Sequence, residues 1–326
     1  MYSTLSPLNN FKFEFTDTSY SSKMSKESTD ILPALIPNTL EARIDLIHRI
    51  EDYLTKKFQV YSGRDSNGRE YDTIEDMWRY EGFLMRDGDA AEKKTPRWYD
   101  KSHLYWETEN NVKATIDGML GGFAVLSERD IAASTLFLKE VLDCRPLLKA
   151  RIEEGNSSRS CECGAGIGRL TKGLLSPFGF RNCDLVETSP RLLHAAPEYI
   201  GKIAAKCTFI CQGLQDFSPE PESYDVIWVQ WVISYLTDWD LVNFLSRMGK
   251  SLKEGGVIIL KENTCNNLAF DSDKDDCDIT RSYQYLRAIV QESGLKFVTN
   301  DGDDMMRWQD DFPEDIWPVP MIALTM

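Results

Sequence analysis

Cys161-Glu162-Cys163-Gly164-Ala165-Gly166-Ile167-Gly168-Arg169 is the stretch whose reading decides the fold. It reads as the end of a buried strand that turns through three glycines into a helix, Leu170-Thr171-Lys172-Gly173-Leu174-Leu175. Glycine is needed where the backbone takes positive φ, or where a ligand comes closer than a Cβ allows. The helix begins with unpaired amides aimed back at the turn, a setting for an anionic or carboxylate-bearing ligand. A second strand, Asn182-Cys183-Asp184-Leu185-Val186, ends on Glu187. The spacing is that of an acid gripping ribose hydroxyls at the carboxyl edge of a parallel sheet. Without that acid the glycines would be weak evidence of a nucleotide-type site, with an ordinary tight turn as the alternative. Their Gly-x-Gly-x-Gly spacing departs from the Gly-x-Gly-x-x-Gly of dinucleotide enzymes, which favours an adenosyl ligand with no pyrophosphate. An NAD-dependent oxidoreductase on a similar sheet is the competing reading. The glycine spacing and the lack of a histidine near the motifs count against it.

Beyond the turn, strands and helices alternate. The pattern predicts strands at 183–187, 207–211, 224–230 and 256–262, and helices at 189–199, 238–252 and 280–292. Two last strands are expected at Lys296–Asn300 and Trp317–Thr325. Such alternation means a mostly parallel sheet covered on both faces. Upstream, a long helix is expected from Ser127 to Leu142, continued from Leu147 to Glu154, and an aromatic helical segment from Trp98 to Trp106. Gly121-Gly122 within an apolar stretch reads as a flexible turn or a lid close to a ligand. Leu40, Ile44, Ile47, Ile50 and Leu54 recur at helical spacing, with Asn38 and Glu41 placed like a capping box. Residues 61–72 read as a loop, Thr73 to Leu84 as a second helix, and the stretch up to Thr95 as a polar linker. The Ser-, Thr- and Asn-rich residues 1 to about 35 read as disordered.

Composition narrows the partners. A net charge of −15 over 326 residues leaves no basic field for a phosphate backbone, so no nucleic acid is expected and a cationic partner is. No apolar run reaches the roughly 18 residues of a membrane span, so no membrane is expected either. The first thirty residues hold neither an apolar h-region nor an arginine, which supports neither secretion nor mitochondrial import. Eight cysteines without a Cys-x-x-Cys read as reduced thiols of a cytoplasmic or nuclear protein. Those cysteines with three histidines give no metal-site spacing, and no metal is expected.

Four motifs occur in order: Asp117-Gly118-Met119-Leu120-Gly121-Gly122, Cys163-Gly164-Ala165-Gly166-Ile167-Gly168-Arg169, Gly213-Leu214-Gln215-Asp216-Phe217, and Tyr224-Asp225-Val226-Ile227-Trp228-Val229-Gln230-Trp231-Val232-Ile233. Together they resemble the protein N-terminal α-amine methyltransferases, which methylate Xaa-Pro-Lys N-termini exposed after methionine removal. The likeness runs from about Trp98 to the C-terminus. It implies an α/β fold, a Rossmann-like class I methyltransferase with a seven-stranded, mostly parallel sheet and helices on both faces. The domain would span 96–326, preceded by an extension at 1–95 that is disordered at first and then helical. The implied cofactor is S-adenosyl-L-methionine.

By matching positions, the resemblance implies that Gly164, Gly166 and Arg169 hold the cofactor at the first turn. Arg169 at a helix start suits the ligand carboxylate; outside the motif it would read as a surface helix residue. Glu187 would take the ribose, where the family usually has aspartate. Leu214 and Gln215 would border the adenine, and Gln230 and Met119 the methionine portion. For the peptide, Trp231 offers a flat apolar face to the second-position proline. Asn263 would hold the peptide backbone near the amine. Tyr105 and Trp106 match an aromatic pair lining the substrate channel, and would otherwise be core aromatics. In the acidic loop Asp271-Ser272-Asp273-Lys274-Asp275-Asp276-Cys277-Asp278, counting back from Arg281 matches Asp276 to the family's essential carboxylate. The carboxylate facing the substrate lysine is then Asp273, or Asp271 if the loop is anchored on Phe270-Asp271. A charged loop that is merely solvated is the plain alternative.

Two departures bear on catalysis. Ser234-Tyr235 stands where the family reads Gly-His, and Asp278 stands where it often has serine. Tyrosine, with a pKa near 10, is a poor proton acceptor at neutral pH. An enzyme working slowly is therefore expected, and the alternative is a methyltransferase-like peptide-binding protein with little turnover.

Overall fold

A computed structural model of the chain describes residues 12–15, 34–59, 61–85, 97–155, 157–313 and 318–326. In chain order its elements are β1 (Lys12–Phe15), α1 (Leu40–Phe58), β2 (Gly63–Asp65), β3 (Glu70–Tyr71), α2 (Ile74–Tyr80), α3 (Trp98–Glu107), α4 (Ile116–Met119), α5 (Ser127–Asp143), α6 (Pro146–Glu154), β4 (Arg159–Cys163), β5 (Asn182–Glu187), α7 (Pro190–Ile200), β6 (Cys207–Cys211), β7 (Tyr224–Gln230), α8 (Asp238–Lys250), β8 (Leu252–Lys261), β9 (Phe270–Asp273), β10 (Asp278–Arg281), α9 (Tyr283–Ser293), β11 (Lys296–Phe297), β12 (Thr299–Asn300), β13 (Asp303–Asp304), β14 (Met306–Gln309) and β15 (Val319–Thr325). The main sheet runs β1-β6-β5-β4-β7-β8-β15-β11, with β14 also on β15. From β1 to β8 all neighbours are parallel, and β15 enters antiparallel to β8.

The central strands are apolar throughout because both faces are covered. Side chains alternate across the sheet. Val226 and Trp228 of β7 join an apolar cluster with Phe137 and Leu138 of α5 and Leu193 of α7. Ile227 and Val229 face the opposite cluster, built with α1, α8 and α9. The sheet has nine strands rather than seven, for two reasons. Strand β1 adds an edge beside β6, in a stretch expected to be disordered. The far edge is split: β11 and β14 pair with different parts of β15, and the β12–β13 hairpin interrupts them.

Other expectations shift locally. The cap of α1 is Thr39, whose hydroxyl accepts from the Ala42 amide at 3.2 Å, and Asn38 instead accepts from Arg43. Residues 61–72 form the hairpin β2–β3 rather than a plain loop. This hairpin pairs through β2, in parallel, with β9, giving a second sheet in the order β10-β9-β2-β3. The acidic segment is thus a hairpin, β9–β10, and helix α9 starts only at Tyr283. After the glycine turn the chain widens into a π-helical turn at Thr171–Leu175.

The helices upstream of residue 95 are packed into the molecule. Leu46, Ile47, Ile50 and Leu54 of α1 and Trp78 of α2 are buried in the cluster shared with α8 and α9. The Trp78 indole donates to Asp238 at 2.5 Å, and Ile36 exchanges two hydrogen bonds with the Asn243 side chain. The linker expected up to Thr95 and most of the first 35 residues lie outside the described residues. Among the described residues, no helix is long and apolar enough to cross a membrane.

Candidate active site

At the carboxyl ends of β4, β5 and β7 lies a cavity of about 320 Å³. Its wall brings together Met119, Gly164, Gly166, Arg169, Glu187, Leu214, Gln215 and Gln230, and also Trp106, Trp231 and Tyr235. Gly164 and Gly166 have φ of 71° and 52°. A Cβ on Gly166 would stand 2.5 Å from the Met119 sulfur, and one on Gly164 2.6 Å from Val232. Glycine therefore allows α4, which carries Met119, to lie directly on the turn.

Two buried acids hold the turn from below. Glu187 accepts from the Gly166 amide at 2.9 Å and the Ser189 amide at 2.8 Å. Glu162 accepts from the Leu170 and Thr171 amides at 3.3 and 2.7 Å, satisfying donors of the helix start. Burial pushes both carboxyls above the ordinary range, Glu162 to about 7, while the amide donors pull them down. On the loop after β6, Arg247 of α8 donates to the carbonyls of Leu214, Gln215 and Phe217 at 2.8–2.9 Å.

Arg169 is 6% exposed and belongs to a buried network that the sequence did not announce. Asp130 of α5 receives the Lys261 ammonium at 2.5 Å and the Gln230 amide at 2.9 Å on Oδ1. Arg169 Nη1 lies 2.7 Å from Asp130 Oδ2, off the axis of a hydrogen bond, so neither atom completes one. Lys261 also donates to Ser134 and Gln309. The other end of the Gln230 amide accepts from the Trp228 indole at 2.9 Å, which fixes its orientation. Two cations share one carboxylate here, and an orphaned donor remains on Arg169. A ligand carboxylate fits that imbalance.

Trp231 follows β7 with φ at 51°, a strained conformation for a large side chain. The strain is held by hydrogen bonds on both sides. The Trp231 amide donates to the Lys261 carbonyl at 3.0 Å, and Glu262 accepts from the Val232 and Ile233 amides at 2.9 and 3.0 Å. Glu262 is itself pushed up to about 7 by burial. The indole of Trp231 donates to Asn263 Oδ1 at 3.1 Å, so Asn263 reaches the cavity through Trp231.

Tyr235 donates to Asp276 Oδ2 at 3.0 Å, which joins the acidic hairpin to the cavity wall. The Trp106 ring meets Tyr235 edge-on at 5.8 Å, and Tyr105 stands behind Trp106 at 6.1 Å. Burial raises Tyr235 well above the usual phenol, with Asp276 and Asp278 adding to it. The Asp276 carboxyl also sits above its ordinary range, burial first and Asp273 and Asp275 adding, against the pull of the Tyr235 hydroxyl. Asp278, beside Asp276 and Glu262, is raised further still, again chiefly by burial. Asp271 and Asp273 lie away from the cavity wall. Asp271 is paired with Arg64 at 2.8 Å, and exposed Asp273 accepts from the Asp275 amide at 2.7 Å.

Sequence reading passed over Asp130, Glu162, Lys261, Glu262 and Arg247. Lys261-Glu262 ends the apolar run Val257–Leu260, and that abrupt charge was a usable signal. Asp130 and Ser134 lie on the same face of α5 as Phe137 and Leu138, a subtler one.

The glycine turn, the acid closing the second strand and the antiparallel last strand define a class I S-adenosylmethionine-dependent methyltransferase. A SAM-dependent methyltransferase of Leishmania major superposes with a TM-score of 0.66 at 33% identity, covering 82% of this chain and 96% of its own. Alpha N-terminal protein methyltransferase 1 of Arabidopsis thaliana is 39% identical over 269 residues, 81% of this chain and 91% of the relative. N-terminal Xaa-Pro-Lys N-methyltransferase 1-B of Xenopus laevis is 38% identical over 229 residues, 70% and 95% of the two chains. The profile of the AdoMet-dependent proline di-methyltransferases matches residues 94–325, and the chain belongs to that family.

Gly166→Val tests the turn. It combines positive φ with a displaced Met119, and the affinity for S-adenosylmethionine is expected to fall at least ~10-fold, about 1.4 kcal/mol. Calorimetry on the folded variant reads this, and unchanged affinity would exclude the placement.

Proposed function

We propose that this protein transfers methyl groups from S-adenosylmethionine to the free α-amine of proteins beginning Xaa-Pro-Lys. The observation that carries the reading is the continuity of one cavity, from the glycine turn past Trp231 to the Tyr235–Asp276 pair. When bound, S-adenosylmethionine supplies a methyl group on a positively charged sulfur. Arg169 holds the ligand carboxylate, Glu187 the ribose, and Leu214 and Gln215 border the adenine, while Gln230 and Met119 enclose the methionine portion. Trp231 stacks on the second-position proline. Asn263 steadies the peptide backbone, and Tyr105 with Trp106 walls the channel.

The amine must arrive neutral, and its pKa of about 7.7–8.0 makes the proton easy to remove. Asp276 takes that proton. Its raised affinity for protons brings it closer to the amine and makes it a better acceptor than an exposed aspartate. Tyr235, raised well above 10, stays protonated and orients the Asp276 carboxylate by donating to it. Asp273 provides negative charge for the lysine and Asp278 a carboxyl acceptor, with Asp271 partly neutralised by Arg64. A cytosolic or nuclear location suits eight cysteines that are all free. The non-catalytic alternative finds no support in relatives that carry transferase names.

A peptide beginning Ser-Pro-Lys is expected to be methylated on its α-amine, and its acetylated copy not at all. Glutamate in third position is expected to abolish turnover, because it would face the acidic hairpin. Mass spectrometry locates the methyl group, and a methyl on the lysine side chain instead would overturn the proposal.

A further inference from the structure

The hairpin Phe270–Arg281 carries five aspartates and a single lysine, Lys274, ahead of Arg281. Left to itself, that lysine would neutralise the carboxylates on either side of it. It is instead drawn off by the segment upstream of residue 85. Lys274 Nζ lies 2.6 Å from Glu81 and 3.7 Å from Asp65, and its side chain is 13% exposed. The rings of Tyr71 and Tyr80 stand 5.7 and 5.8 Å from the same ammonium. Two carboxylates and two aromatic faces thus form a cation cage.

The cage is built, not incidental. Asp65 is buried and fixed by the Tyr71 hydroxyl at 2.7 Å and by the Asn67 and Arg69 amides at 3.0 Å. Strand β2 is pinned to β9 by the pairs Gly63–Phe270, Arg64–Asp271 and Asp65–Ser272. A Cβ on Gly63 would come 2.5 Å from the Phe270 ring, so only glycine permits this approach. The Ser66 hydroxyl accepts from the Lys274 amide at 3.0 Å, which sets the point where the lysine leaves the hairpin. Among the described residues, none of Asp273, Asp275, Asp276 and Asp278 is in an ion pair.

We propose that Glu81 and Asp65 are positioning residues for substrate choice: by holding Lys274 away from the hairpin's carboxylates, they keep the surface facing the peptide anionic and so set the preference for lysine in third position. This inference rests on the proposed N-terminal methyltransferase function. It gives the upstream segment a part in the reaction without any contact with the substrate.

Steady-state kinetics of the full chain on Ser-Pro-Lys and Ser-Pro-Gln peptides tests it. Glu81→Gln is expected to raise KM about 5-fold for Ser-Pro-Lys, with kcat within about 2-fold and KM for Ser-Pro-Gln unmoved. Adding Lys274→Met to Glu81→Gln is expected to restore the wild-type KM, because the released cation is then gone. A staple with a purely structural part would give no rescue and would affect both peptides equally, and either result overturns the proposal. Should Glu81→Gln not fold, Lys274→Met alone decides. A caged lysine contributes little to the acids, so KM should stay at the wild-type value. A KM lowered about 5-fold would mean that Lys274 already neutralises them, and the proposal would fall. A wild-type enzyme that leaves the Ser-Pro-Lys α-amine unmethylated would instead refute the proposed function itself.

Discussion

Asp276→Asn is expected to lower kcat by about 10²-fold or more, with the affinity for S-adenosylmethionine unchanged within a factor of about 2. Asp276 is not among the residues that line the cavity beside the glycine turn, and its Oδ2 accepts from the Tyr235 hydroxyl on the cavity wall at 3.0 Å. Asparagine keeps the acceptor for Tyr235 and the size of the side chain. It removes only the capacity to take a proton. Stability should not suffer. The Asp276 carboxyl has a higher pKa in the folded chain than in the unfolded one, chiefly through burial. The folded state therefore binds the proton more tightly, and stability falls as pH rises from the ordinary carboxylate pKa through the raised one. Above the raised value the wild type carries that cost in full, and asparagine relieves it. A variant that melts no earlier than wild type and is still crippled assigns the loss to chemistry.

The pH–rate profile sharpens this expectation. Wild-type kcat/KM should climb toward pH ~9 as more of the amine arrives neutral, since its pKa lies near 8. In Asp276→Asn the same climb should remain, displaced downward over the range, because the amine still titrates while its acceptor is gone. Equal rates for wild type and variant across pH 6–9 would remove Asp276 from the reaction. A histidine at this corner, as in the resembling family, would titrate within that range. Tyr235 does not, because burial beside Asp276 and Asp278 lifts it well above 10.

What was legible in the sequence follows the range of the interactions involved. The glycine turn, Glu187 and the apolar strands are local signals, and β7 begins and ends at the residues expected. The helical spacing from Leu40 to Leu54 likewise gave α1, although its cap shifted by one residue to Thr39. The pairing of β2 with β9 was not legible, because it joins segments about 200 residues apart and neither has a strong strand pattern. A run of aspartates reads as solvated loop until a partner strand orders it. Asp130 was hidden for a related reason. Its neighbours in α5 give a plain amphipathic helix, and only the fold brings Lys261 and Arg169 to its two oxygens. Residues that sit on the turn could be read one by one. Residues that balance charge beneath it could not.

Asp130→Ala is expected to cost about 3–5 kcal/mol of stability at neutral pH, a large share of the roughly 5–15 kcal/mol typical of a folded domain. Asp130 is fully buried, and so is Lys261, while Arg169 is nearly so. Removing the carboxylate leaves two cations facing each other without their shared counter-charge, and frees the Gln230 amide as well. The pH dependence gives the mechanism away. Burial already lowers the pKa of Lys261, and Asp130 is the largest influence opposing it. Without Asp130 the folded-state pKa drops further below the unfolded value near 10.4. In the interval between those two values the unfolded chain binds more protons, so stability rises with pH there. Urea unfolding at a series of pH values should therefore find the variant far below wild type at pH 7 and recovering part of the gap toward pH 10, as Lys261 sheds its proton. Asp130→Asn keeps an acceptor for Gln230 and should fall between the two. A loss under about 1 kcal/mol at pH 7, or a gap that widens as pH rises, would mean that the two cations do not depend on Asp130. The proposed place of a ligand carboxylate beside Arg169 would then lose its electrostatic basis.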